Sequence, residues 1–189
     1  MTNFTKHTID TAPQDSRPLL ENSQNAFGRI PGLHAVMAEA PALLQAYQQV
    51  HKLFAEQTSF DKDELTVVWQ SINVEHECNY CVPAHTGIAK MMKVDDAITE
   101  ALRSETPLPN DRLEALRVFT LAVVRGRGNV SEAAVKAFFD AGFTKRHVLE
   151  VILGASQKVM SNYTNHIAGT PVDEAFKGFA WERAPKAAA

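Results

Sequence analysis

The sequence is poor in cysteine, with two among 189 residues. A disulfide-stapled scaffold is therefore excluded. It is also unnecessary, because a chain of this length buries roughly 70% of its unfolded surface unaided. No stretch approaches the ~20 apolar residues that a bilayer-spanning helix needs, so no membrane partner is expected. The N-terminal run "MTNFTKHTIDTAPQDS" is polar and has no apolar core of the kind a signal peptide carries, so a cytoplasmic protein is expected. Lysine and arginine form no cluster, and the net charge is −3 with histidine neutral, which argues against nucleic acid as a partner. There is no run of alternating polar and apolar residues long enough to build a sheet. Internal repeats and low-complexity linkers are also missing. Hydrophobic residues make up 45%, ordinary for a globular chain.

The remaining pattern is helical. It predicts one all-α domain over 1–189, with N-terminal helices at about 13–57, a core at about 59–176 that carries both cysteines, and a loose tail at about 180–189. "APQDSRPLLENSQNAF" predicts a helix with Leu19, Leu20 and Phe27 inward, ended by Gly28. After a short helix, Pro41 opens a longer amphipathic one. Asp61 with Glu64 three residues on has the form of a capping box, and Leu65, Val68, Trp69 and Ile72 then recur at helical spacing. Asn110 suits an N-cap, and Gly142 and Gly169 close the last two long segments. "TPVDEAFKGF" predicts a final helix capped by Thr170, with Pro171 in its first position and Asp173 near its positive end. Trp69, Phe119, Phe138 and Phe139 are expected in the core.

Both cysteines fall in "VEHECNYCVPAH", residues 74 to 85, as Cys78 and Cys81, with His85 four positions after Cys81. Attachment of c-type haem needs a histidine directly after the second cysteine, and Val82 stands there. A zinc site needs four ligands; His76, Cys78, Cys81 and His85 would have to supply them all from one short segment. Two merely buried cysteines are a third reading, since cysteine is among the most buried residue types. A redox pair is the fourth, and the residues give it a mechanism. Pro83 has no N–H and fits a helix's first turn, which puts the helix start near Tyr80. Cys81 is then in the first turn and Cys78 just before it, where unpaired N–H groups and the helix dipole favour a thiolate. His85 shares a helix face with Cys81 and could take or return its proton. Cys78 is near enough to attack an oxidised Cys81 and form a disulfide. Glu75 is a candidate to orient His85, and Tyr80 a candidate to hydrogen-bond near the pair; a solvated carboxylate and a packed ring are the plain alternatives. His166 reads as a histidine at a helix C-terminus. Asn162, Tyr163 and Asn165 read as a polar cluster at a subunit contact, and Arg125 and Arg127 as a solvated helix end.

"CNYCVPAH" followed by "TGIAK" resembles the signature of the alkylhydroperoxidase D-like branch of the carboxymuconolactone decarboxylase superfamily, Cys-x-x-Cys-x-x-x-His at the start of a core helix. "DELTVVWQSINVEHE" before it and "NYTNHIAGTPVDEAF" late in the chain are similar too, so the resemblance runs from about Ser59 to Phe176. It implies an all-α fold that assembles into dimers, trimers or hexamers. It further implies a thiol-dependent peroxidase without a cofactor or metal, acting on a hydroperoxide or small disulfide and recycled by a lipoyl-bearing or thioredoxin-like dithiol protein. By position, Cys81 would attack peroxide, Cys78 would resolve, and His85 would relay the proton. The family's relay glutamate falls at Thr66 here, one helical step from Glu64, and Asn79 and Tyr80 stand where peroxidase members carry a histidine. Glu64, Glu75 and Tyr80 are accordingly the candidate relay residues.

Overall fold

Side-chain caps set where four of the nine α-helices begin in the computed structural model, which describes residues 4–183. Among these, nine α-helices follow one another and no strand forms: α1 (Arg17–Phe27), α2 (Gly32–Met37), α3 (Pro41–Gln57), α4 (Lys62–Glu75), α5 (Cys81–Met91), α6 (Asp96–Arg103), α7 (Asp111–Arg125), α8 (Glu132–Asp140) and α9 (Lys145–Ala168). The Asp61 carboxylate accepts from the N–H groups of Asp63 and Glu64, and Glu64 accepts from the Asp61 N–H, which closes the expected capping box. The other oxygen of Glu64 takes two hydrogen bonds from Arg112, at 3.0 and 2.8 Å, so the same residue joins the start of α4 to α7. Asn110 caps α7 through the N–H groups of Arg112 and Leu113. Gly28 and Gly169 end α1 and α9 with φ of 68° and 59°, a left-handed turn that glycine adopts at no steric cost.

α4 is the axis of the bundle. Every residue from Glu64 to Val74 is buried, and the helix packs against α5, α6, α7 and α9. Its apolar side chains, with Phe54, Leu116, Phe119, Phe138 and Val151, form the main core. Three phenyl rings stack through it, Phe119 on Phe138 on Phe143, at 4.1 and 4.3 Å between centroids. A second apolar cluster, of Leu20, Leu33, Met37, Leu44, Tyr47, Tyr80 and Ala84, encloses the two cysteines beneath α1–α3. α9 reaches both clusters. It approaches α3 and α4 at Gly154, where a Cβ would stand 2.7 Å from the Phe54 ring and 2.9 Å from Val68. The missing side chain therefore lets the next two turns of α9 lie against the cysteines.

Three expectations are corrected. Phe27 is not inward: it is 52% exposed at the end of α1, with one edge on His34. "TPVDEAFKGF" does not start an α-helix at Pro171; the chain stays extended to Asp173 and then forms a 3-10 segment, Glu174–Phe179. The reason is that the Asp173 carboxylate is committed elsewhere. It accepts the Gly32 N–H at 3.1 and 3.2 Å and the Tyr80 hydroxyl at 2.8 Å, so it does not cap its own helix. The tail is not loose at its start, because Trp181 is buried and donates to the Arg103 carbonyl while Arg183 pairs with Glu77 and Glu105. Residues 184–189 of that expectation lie outside the described residues. No described helix is long and apolar enough to cross a membrane.

Candidate active site

The start of α5 is held by polar side chains of α4. Tyr80 is the N-cap residue and Cys81 the first helical residue, as the position of Pro83 implied. Gln70 donates to the Val82 carbonyl and to the Thr86 hydroxyl, both at 3.1 Å. Asn73 donates to Gln70 at 2.9 Å and to the Cys81 carbonyl at 3.4 Å. All three side chains are buried, so these bonds replace water that the turn has lost. The chain bends between α4 and α5 at Glu77, whose φ of 53° is left-handed.

The sulfurs lie next to one another as free thiols. Cys78 is 0% and Cys81 2% exposed. Their surroundings are nevertheless polar. Asn165 of α9 donates to Cys81 Sγ at 3.2 Å. Asn162, one turn earlier on the same face, donates to Asn73 at 3.0 Å and accepts from His76 at 2.9 Å. One turn before that comes Lys158, 0% exposed, whose Nζ lies 2.8 Å from His85 Nε2. Since an ammonium only donates, Nε2 accepts and the ring proton sits on Nδ1. Lys158, Asn162 and Asn165, spaced four and three apart, thus form one stripe of α9 laid against His85 and Cys81 of α5.

Electrostatics separates the two thiols. Burial alone would raise the Cys81 pKa. The hydrogen bond from the Cys78 thiol, the charge of Lys158 and the amides of Asn165 and Asn162 outweigh it and bring the group from 9.0 to about 6. Cys78 moves the other way, because it gives that hydrogen bond, is buried, and faces the charge of Cys81. The N–H of Cys81 points at Cys78 Sγ, 3.3 Å away. The N–H of the first turn therefore serves Cys78, and apart from the Cys78 thiol the groups that stabilise a Cys81 anion come from α9. His85 is neutral: burial and then the charge of Lys158 hold its pKa well below the ordinary 6.5.

The candidate residues fare unequally. Cys78, Cys81 and His85 are brought together at the start of α5, although His85 hydrogen-bonds to Lys158 and not to a sulfur. Tyr80 ties α5 to other elements: its hydroxyl accepts the Leu33 N–H at 3.2 Å and donates to Asp173. Glu75 forks onto Arg125 at 2.8 and 2.7 Å, so Arg125 is not a free solvated end. Both oxygens of Glu64 are taken by its cap and Arg112. Thr66, at the position of the relay glutamate, bonds back to the Lys62 carbonyl. Asn162 and Asn165 are at the thiols and not at a subunit contact, while Tyr163 between them is 50% exposed. His166 is exposed in the last turn of α9. The four zinc candidates are not gathered into a metal-holding group among the described residues, since His76 turns to Asn162 and His85 to Lys158. Lys158 was missed by sequence reading. It lies 73 residues from His85, and no local signal relates the two.

This bundle is the fold of the alkylhydroperoxidase core. A peroxidase-related protein from Ralstonia eutropha with that core superposes with a TM-score of 0.79 at 21% identity, over 98% of this chain and 100% of its own. A peroxidase-related protein from Silicibacter sp. gives 0.77 at 18% identity, over 94% and 97% of the two chains. The debrominase Bmp8 in complex with 2,3,4-tribromopyrrole gives 0.77 at 16% identity, over 94% and 95%. The likeness is one of fold. No protein-family profile and no curated protein matches the sequence.

The pH response of the pair follows from these contacts. Thiolate absorbance at 240 nm in the reduced protein is expected to be present above pH 7 and lost as the pH falls through about 6. Cys81→Ser should abolish that transition. A midpoint near ~8.5, that of an unperturbed thiol, would contradict the electrostatic assignment.

Proposed function

We propose that this protein is a thiol–disulfide oxidoreductase that reduces hydroperoxides, with Cys81 as the attacking thiolate and Cys78 as the resolving thiol. The observation that carries the reading is a buried sulfur held by an amide donor, a neighbouring thiol and a lysine charge. A thiolate so placed keeps its nucleophilicity at neutral pH and has its partner sulfur beside it. Cys81 Sγ attacks the terminal peroxide oxygen, the O–O bond breaks, and the alcohol leaves. The sulfenic acid is then displaced by Cys78, with loss of water, to give the disulfide. A dithiol, lipoyl-bearing or thioredoxin-like, returns the pair to its reduced state. No bound cofactor is required. The shared fold with peroxidase-related proteins supports this direction, and the Bmp8 neighbour adds a brominated pyrrole to the panel of substrates worth testing.

Both sulfurs are covered, so substrate entry requires the cover to part. The contacts that close it over α5 are the Asp173 bridge to Gly32 and Tyr80 and the Arg29 guanidinium over the Phe176 ring, 4.9 Å from its centroid. Transient opening of such a segment on a microsecond-to-second scale is ordinary for a gated site.

Turnover of an alkyl hydroperoxide with a dithiol donor is expected from the wild type. Cys81→Ser should lose it by at least about 10³-fold, the scale for removing a nucleophile. Cys78→Ser should consume one equivalent of peroxide and stop at a sulfenic acid that dimedone traps. Equal turnover by wild type and Cys81→Ser, or none by the wild type with any donor, leaves a non-enzymatic redox sensor or a structural assembly as the reading.

We also propose that the protein self-associates through α9. Leu149, Ile152, Val159, Tyr163 and Ile167 are 40–72% exposed and recur along one face of that helix. A row of large exposed apolar side chains on a soluble protein marks an interface. Light scattering should give a multimer for the wild type and a smaller species for Ile152→Glu/Ile167→Glu; a monomeric wild type would contradict the assignment.

A further inference from the structure

A buried lysine needs a counter-charge, and among the described residues no carboxylate pairs with Lys158. None of the ion pairs among the described residues includes it, and the one hydrogen-bond partner of its amine among them is the neutral imidazole of His85. An isolated ammonium in such surroundings is strongly disfavoured and gives up its proton. The titratable groups that act on it are His51 from α3, His76 just after α4, Cys78 just before α5, and Cys81 and His85 of α5; His34 from α2 and Tyr47 from α3 lie one layer further out, against His51. The four histidines are held toward the neutral form, and Tyr47 is held protonated by burial and by the sulfurs. Only the two sulfurs remain as negative partners. They oppose the effect of burial on Lys158, and Lys158 in turn acts on both.

A sulfur anion exists only while the pair is reduced. Resting on the oxidoreductase reading above, we infer that Lys158 is the proton store of the redox cycle, an ammonium while Cys81 is a thiolate and a neutral amine once Cys78 and Cys81 are joined. The stripe of Lys158, Asn162 and Asn165 against His85 and Cys81 supplies the geometry. The balance closes without another group. Thiolate attack forms the S–O bond and sends the electron pair of the O–O bond out on an alkoxide, and the alkoxide takes the proton that Lys158 releases. Cys78 then forms the S–S bond and breaks the S–O bond, and its own proton leaves with the hydroxide as water. Two electrons have passed from two sulfurs to the peroxide. A dithiol restores both electrons and both protons, one proton on Cys78 and one on Lys158. His85 is the positioning residue: its Nε2 accepts from Lys158 and keeps the amine aimed at the site. This stored proton offers a substitute for the relay carboxylate that Thr66 lacks.

The direct test is carbon-13 NMR of protein labelled at lysine Cε, with the Lys158 resonance assigned from Lys158→Met. The pair is opened with a phosphine and closed with diamide, so the result does not depend on peroxide being the substrate. The Lys158 Cε shift at pH 7 is expected at the ammonium position in the reduced protein and at the amine position in the disulfide. The same position in both states would overturn the inference, as would failure of diamide to close the bond. Lys158→Met should also raise the midpoint of the 240 nm thiolate transition by about one to three pH units. It should leave the melting temperature of the disulfide form unchanged or higher, because the disulfide then loses only an unpaired buried amine. An equal loss of stability in both redox states would mark Lys158 as merely structural and overturn the inference. If Lys158 switches while no peroxide is consumed, the substrate reading fails and the proton store stands.

Discussion

The buried contact of Lys158 with His85, one helical turn from the sulfur of Cys81, is the constraint around which the rest of the site is arranged. Removing a lysine from water costs several kcal/mol unless charge and hydrogen bonds are returned to it. The surrounding residues answer that cost. Gly154 lets α9 come close enough for Lys158, Asn162 and Asn165 to face α5. Gln70 and Asn73 on the buried stretch of α4 hold the first-turn carbonyls of α5, and Asn73 accepts from Asn162. Three helices are thereby joined by a connected set of side-chain hydrogen bonds at one point. Two buried atoms beside it, His85 Nδ1 and Asn165 Oδ1, have no hydrogen-bond partner among the described residues, so the set is not fully satisfied.

Burial has opposite effects on the two partners and so makes the pair responsive. It pushes a thiol up and an ammonium down; for Cys81 the hydrogen bond from Cys78, the charge of Lys158 and the amides of Asn165 and Asn162 together reverse this. Anything that removes one charge releases the other. The same burial keeps water and other solutes from both sulfurs. The segment after α9 that covers α5 is tied down by the Asp173 carboxylate, which bridges α2 and the N-cap of α5, and by Arg29 over Phe176 and Arg103 on the Phe179 and Ala180 carbonyls.

Much of the fold was legible in the sequence because its signals are local. The Asp61–Glu64 box, the Asn110 cap, Pro41 at the first position of α3 and the closing glycines act within a few residues of where they stand. The pairing of Cys78 with Cys81 and the start of α5 were legible for the same reason, since Pro83 allows few alternatives. The misreadings are all tertiary. Asp173 looked like a helix-start residue until two distant donors claimed its carboxylate. Phe27 followed an apolar pattern to a helix end that the core does not reach. The first-turn N–H was credited to Cys81, yet it points at Cys78. Lys158, Asn162 and Asn165 come from a helix 73 or more residues beyond the motif, and no local spacing relates a lysine there to a thiol here. Lysine is a residue type rarely buried, so its full burial here is set by tertiary packing alone.

The most direct test of the central claim is to find which sulfur carries the negative charge. Reduced protein is treated with iodoacetamide at pH 7 for a series of short times, quenched in acid, and digested, and the label on each cysteine is counted by mass spectrometry. A Cys81 thiolate stabilised from α9 should take the label at least about tenfold faster than Cys78, in line with a pKa separation of more than one unit. Equal labelling, or labelling of Cys78 first, would contradict it.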